Sequence, residues 1–219
     1  MKWTAPPVKR RGGADWLELI FKDHGFLRFY WHNQHLVADG LWRSNQPGPM
    51  RIAALAKTGI KTIVNLRGPR QDGGWRLEAE ACAKAGITLL DFTARSRAAP
   101  SKEMLYDARD LFAAIETPTL IHCKSGADRA GLMSALYLII AKDRPAREAM
   151  GQLDLKYGHV KAAKTGLIDA FFSSYLPYED QGMAFFDWVE KIYDPEDIVA
   201  SFKAERWALR LTDMILRRE

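Results

Sequence analysis

Between residues 61 and 141 the chain alternates short apolar runs with longer helical stretches. No other feature restricts its fold as much. The β-branched run 61–66 (KTIVNL) reads as a strand. It is followed by a helix over 75–85 that ends at Gly86, and by a strand over 87–92. An amphipathic helix over 102–115 starts after Pro100-Ser101, a short strand covers 119–122, and a long apolar helix covers 128–141. Strands in such alternation with helices build a sheet with a parallel core and helices on its faces. Upstream, 26–31 and 35–43 read as two strands, the second with Asp39-Gly40 as a turn or bulge, and 51–57 reads as a helix closed by Gly59. After Asp143 the pattern becomes helical throughout, over 146–157, 165–175, 183–193 and 196–218, punctuated by Pro177 and Pro195. The aromatic residues there, Phe171, Phe172, Phe185, Phe186, Trp188 and Trp207, read as core. The expected fold class is therefore α/β: a central, mostly parallel sheet flanked by helices, with an all-helical C-terminal extension. The expected organisation is a flexible arm over 1–13, a catalytic domain over 14–145, and the extension over 146–219 packed on it.

The segment Leu120-Ile-His-Cys-Lys-Ser-Gly-Ala-Asp-Arg-Ala-Gly131 sits between a strand and a buried helix. A loop in that place turns successive backbone N–H groups into one concavity at a helix N-terminus, which suits a phosphate-sized anion. Cys123 and Arg129, six positions apart, can both reach such an anion. The helix dipole and the loop amides favour the thiolate form of Cys123, which can attack phosphorus. The planar fork of Arg129 can hold two equatorial oxygens. Lys124, Ser125, Gly126, Ala127 and Asp128 complete the phosphate-binding loop, with Gly126 supplying a positive φ. His122 is read as ordering the loop through hydrogen bonds.

His122-Cys123-(five residues)-Arg129, with its preceding strand and following helix, resembles the phosphate loop of the protein-tyrosine and dual-specificity phosphatase superfamily, in particular its bacterial atypical and lipid-phosphatase-like members. The resemblance covers roughly residues 41–141. It implies a two-step hydrolysis of phosphate monoesters through a cysteinyl-phosphate, without metal or other cofactor, and a general acid, usually Asp. Asp128, directly before Arg129, is the favoured acid, because atypical bacterial phosphatases and myotubularin-like lipid phosphatases resemble this segment in carrying Asp there. Asp91, about thirty residues before Cys123, is the alternative, although the loop 93–100 (TARSRAAP) where the family keeps its acid has no carboxylate. The family usually has Ser or Thr after the Arg, and here it is Ala130. That departure keeps open a second reading, a catalytically weak or silent phosphate-binding module. A rhodanese-type sulfurtransferase also uses a Cys-led anion loop, but His122 and the spacing to Arg129 fit the phosphatase better.

Arg95 and Arg97 occupy the loop where relatives keep the acid, and Arg67 and Arg70 follow another strand end. Within the expected range of phosphorylated small-molecule, lipid or protein substrates, together with Lys124 they suit a phosphorylated lipid or an inositol phosphate, with peripheral contact to an anionic membrane surface, over phosphotyrosine. The stretch Arg43-Ser-Asn-Gln-Pro47 resembles one near the start of small bacterial phosphatases, which puts Arg43 and Gln46 at the edge of the active-site face or in a structural role, with Arg43 pairing with a carboxylate. Hydrophobic residues make up 47% and charged residues 27%, and the net charge of +5 favours anionic partners without requiring nucleic acid, which is not expected. Two cysteines and no evident signal peptide imply a reducing, cytoplasmic setting, with Cys82 a small buried residue. The remaining histidines, His159 among them, show no metal-ligand spacing.

Overall fold

The structure, a computed structural model, describes residues 2–8, 11–22 and 31–216. Strand β1 (His35–Ala38) pairs antiparallel with β2 (Leu41–Asn45), and β3 (Thr62–Asn65), β4 (Thr88–Asp91) and β5 (Thr119–Cys123) join β2 in parallel, in the order β1-β2-β5-β3-β4. The helices are α1 (Gly13–Leu17), α2 (Pro49–Lys57), α3 (Gly73–Ala85), α4 (Lys102–Ala114), α5 (Asp128–Lys142), α6 (Ala146–Ala149), α7 (Leu167–Glu179), α8 (Phe185–Lys191) and α9 (Pro195–Leu216).

Alternation along each strand sorts the core into two layers. Ile63, Leu89 and Leu120 face one way and pack on Ile52 and Leu55 of α2 and Ala79 and Cys82 of α3. Val64, Leu90 and Ile121 face the other way, onto Leu105 and Leu111 of α4 and Leu132 and Leu136 of α5. Phe171, Phe172 and Trp188 of the C-terminal helices, and Tyr193 between α8 and α9, belong to this second layer, with Phe186 packed against it, so these aromatics are in the core that supports β5 and α5. Trp207, also expected there, is instead 66% exposed.

Local chemistry sets the helix ends. Asp72 caps α3 by accepting from Trp75 N, and Gly86 closes it in the left-handed region. Ser101 caps α4 by accepting from Met104 N at 3.1 Å.

Three further sequence expectations need correction. The single strand over 35–43 is a hairpin, because Gly40 with φ 81° reverses the chain between β1 and β2. The helix over 146–157 stops after one turn and continues as 3-10 turns at Met150–Gln152 and Leu155–Tyr157, with Gly158 in the left-handed region ending the second. Residues 3–5, assigned to a flexible arm, lie along the open edge of β4: Asp91 N donates to Trp3 O at 2.7 Å and Ala5 N to Leu89 O at 3.0 Å. The strand expected over 26–31 falls mostly outside the described residues, as do the last residues of the helix expected to run to 218.

Candidate active site

Strand β5 carries the site's two layers in its last two residues. His122 faces α3, where Glu78 is buried, and its Nε2 stands 2.5 Å from Glu78 Oε1. Cys123 faces the α5 side, 2% exposed at the strand's end. The chain then turns through 124–127 into α5, whose first residue is Asp128. Gly126 makes the turn possible, with φ 77° and no room for a side chain: a Cβ there would stand 2.7 Å from Asn45 N and Ser44 C.

Arg43 holds this loop from behind. Its side chain is fully buried, away from the expected rim position, and among the described residues its hydrogen bonds go to carbonyl and amide oxygens in place of the expected carboxylate. Nη2 donates to the Gly126 and Ala127 carbonyls at 2.7 and 2.9 Å, and Nη1 to Gln152 O and Oε1 at 2.7 and 2.9 Å. The guanidinium lies 4.1 Å over the Tyr157 ring. Burial pushes its pKa down to about 10, against the pull of Tyr157, Cys123 and Asp128. Within a planar peptide the C=O and the next N–H point opposite ways. With both carbonyls turned to Arg43, the Ala127 and Asp128 amides face away from it, and Ala127 N is 3.5 Å from Ser125 Oγ. Asn33, with its amide donating to Ser125 O and Tyr157 O at 2.9 Å each, ties the loop to the same turn.

Arg129, half-buried at the start of α5, has a lowered pKa: burial dominates, Cys123 opposes it, and the charges of Arg67 and Arg70 add to it. Those two cations therefore sit within electrostatic reach of the cradle. Arg67 is itself buried and donates through Nη1 to Gln46 Oε1, and Gln46 Nε2 donates to Glu78 Oε2 at 2.7 Å. A buried line of contacts thus runs from His122 through Glu78 and Gln46 to Arg67. Arg95 and Arg97 stand exposed on the segment after β4, and Arg95 lines a separate cleft of 530 Å³ with Asp91, Trp3 and Pro100.

The two candidate acids have different surroundings. Asp91 is on β4, two strands from β5, so its backbone is roughly 10 Å from that of the nucleophile's strand. Its carboxylate accepts from Asn65 Nδ2 at 2.8 Å and from Trp75 Nε1 at 3.0 Å, and burial raises its pKa despite those bonds. Asp128 is in the loop itself and remains 27% exposed. Its Oδ1 meets His159 Nδ1 at 2.8 Å, and His159 Nε2 meets Asp169 Oδ2 at 2.7 Å. No local motif signals this linkage, because His159 lies 31 residues from Asp128 and 10 from Asp169. Lys124, Ser125 and Ala127 take their places in the loop, Ser125 exposed and Ala127 buried. Ala130 is fully buried in the second core layer.

A parallel sheet whose central strand ends in Cys, with a backbone cradle and an Arg at the start of the next helix, defines the class of protein-tyrosine-phosphatase-like phosphatases. The chain belongs to the family described as DSP-PTPase phosphatase fused to NAD+ kinase, which matches residues 32–168. It is 28% identical over 122 residues to the dual specificity protein phosphatase TpbA of Pseudomonas aeruginosa, across 55% of this chain and 53% of that one, so the chain spans about half the length of the curated relatives it matches. A crystal structure of P. aeruginosa TpbA, with its cysteine changed to serine and in complex with pTyr, superposes with a TM-score of 0.53 at 24% identity, over 70% of this chain and 91% of that one. The core catalytic domain of the PP-IP phosphatase SIW14 of S. cerevisiae, in complex with citrate, shares the fold with a TM-score of 0.52 at 17% identity, over 69% and 93%. Among the described residues no helix is long and apolar enough to cross a membrane.

Proposed function

We propose that the chain hydrolyses phosphate monoesters through a cysteinyl-phosphate on Cys123. The observation that carries this reading is the pair of carbonyls, Gly126 and Ala127, turned back onto Arg43, which leaves the loop's amide face for an anion beside Cys123 and Arg129. In the first half-reaction the Cys123 Sγ–P bond forms and the P–O bond breaks. The leaving oxygen keeps the bonding pair and takes a proton from Asp128. In the second, a water oxygen bonds phosphorus, the S–P pair returns to sulfur, and the water's proton goes to Asp128. Arg129 and the loop amides meet the charge on the equatorial oxygens throughout. Asp128 is preferred to Asp91 as the acid because it is in the loop and partly exposed, while Asp91 is engaged by Asn65 and Trp75.

For substrate, dual-specificity action on phosphorylated proteins follows the relative TpbA, whose crystal complex holds phosphotyrosine. Arg67 and Arg70 acting on Arg129, with Lys124 in the loop, favour instead a substrate with more than one phosphate, such as a phosphoinositide headgroup at a membrane surface. The silent phosphate-binding module is the second reading. Ala130, without a hydroxyl and closed in the core, favours it.

The test is hydrolysis of p-nitrophenyl phosphate in excess EDTA by the wild type and by Cys123→Ser. Activity that persists under chelation and disappears in the variant supports the phosphatase. Equal background rates for the two proteins would transfer the case to the binding module.

A further inference from the structure

We propose that His159 is a positioning residue for the reaction: it clamps Asp128 Oδ1, keeps the other carboxylate oxygen directed to the leaving group, and compensates the negative charge that appears on Asp128 when its proton is given up. This inference rests on Asp128 being the general acid.

The geometry is a buried relay. His159 is 2% exposed, and both its ring nitrogens meet carboxylates, Nδ1 with Asp128 of α5 and Nε2 with Asp169 in the first turn of α7. Asp128 Oδ1 accepts a hydrogen bond whether or not the other carboxyl oxygen carries a proton, and so does Asp169 Oδ2, so satisfying both requires N–H on both nitrogens, which is the imidazolium. Burial works against that cation, yet the hydrogen bonds to Asp128 and Asp169 outweigh it and lift the His159 pKa to about 9. Those two carboxylates are the charged groups acting on the ring. Asp169, 7% exposed on its side chain, anchors the far side of the ring and leaves Nδ1 aimed at the loop.

A purely structural tie between the turn at 155–159 and α5 could be made by a neutral amide. A buried cation does more. When the leaving oxygen takes the Asp128 proton, the carboxylate is formed already paired with His159 Nδ1–H. When water attacks the phosphoenzyme, the same carboxylate is held in place to accept its proton. His159 keeps both of its protons throughout, and the transferred proton starts and ends on Asp128. The cation is in place before the reaction and needs no reorganisation during it.

General-acid assistance counts most for poor leaving groups, and this separates the proposal from a structural role. Wild type, His159→Ala, Asp128→Asn and the double variant should be compared on p-nitrophenyl phosphate and on phenyl phosphate, with vanadate inhibition as the measure of an intact cradle. The expected result is a loss of kcat/KM, which reports the leaving-group step, in His159→Ala of roughly tenfold or more on phenyl phosphate. The loss on p-nitrophenyl phosphate should be clearly smaller, vanadate affinity should stay within about twofold of wild type, and the double variant should be no slower than Asp128→Asn. Equal losses on both substrates would overturn the proposal. Leaving-group dependence in Asp128→Asn but not in His159→Ala overturns it alone, while its absence from Asp128→Asn overturns the acid assignment and the proposal together. If His159→Ala does not fold, Asp169→Asn carries the same test, with a smaller leaving-group effect expected and a uniform loss again contradicting the account.

Discussion

Arg43 Nη2 donates to the Gly126 carbonyl at 2.7 Å across 83 positions of sequence. That bond joins the second strand of the sheet to the phosphate loop. Its partner bonds to Ala127 and Gln152 make one guanidinium the common support of the loop and of the turn that follows α6.

Substituting this group is predicted to damage binding before chemistry. In Arg43→Met four acceptor contacts, two of them buried, lose their donor, at a cost of roughly 3 kcal/mol or more. In Arg43→Lys the charge survives, but a single ammonium cannot reproduce the planar fork that reaches both carbonyls. Urea unfolding should show the large loss for Met and a smaller one for Lys. Vanadate affinity should fall at least about tenfold in the Lys variant, by the loss of one charge-assisted hydrogen bond. Wild-type vanadate binding in Arg43→Lys would show that the loop holds its shape without the fork.

Stability should also respond to pH through His159. Its folded pKa of about 9 lies above the ordinary 6.5, so the folded state binds this proton more tightly than the unfolded chain does. The contribution is complete below about pH 6.5 and is lost as the pH rises through about 9. Its size is on the order of 3 kcal/mol, at about 1.4 kcal/mol per unit. Denaturant unfolding at pH 6 and pH 9.5 should show this difference in the wild type and not in His159→Gln. Parallel pH dependence in the two proteins would place the titration elsewhere.

The parts of this molecule that sequence conveys are those built from near neighbours. The strand, loop and helix around Cys123 are contiguous, and the alternation of Val64 with Ile63 or Ile121 with Leu120 is a period-two signal carried within each strand. Gly40 marks a turn, but whether that turn interrupts one strand or joins two depends on the pairing of His35 with Arg43. The one-turn helix α6 shows the same limit. Its 146–157 stretch has helical periodicity, yet Arg43 takes the Gln152 carbonyl and a left-handed Gly158 ends the following turn. The sequence alone does not decide between an active-site edge and a structural role for Arg43, because its acceptors are all more than 80 positions away. His159 carries no sequence signal for its role, since its two carboxylate partners come from different helices and meet it only in the folded chain.

The central claim is that phosphorus is bonded to Cys123 during turnover. Rapid acid quench of the enzyme reacting with p-nitrophenyl phosphate, followed by mass spectrometry of the peptide containing residues 120–129, tests this directly. The account predicts one acid-stable phosphoryl group on that peptide, placed on Cys123, and none in Cys123→Ser. Steady hydrolysis with no phosphoryl group on the peptide at any quench time would contradict it.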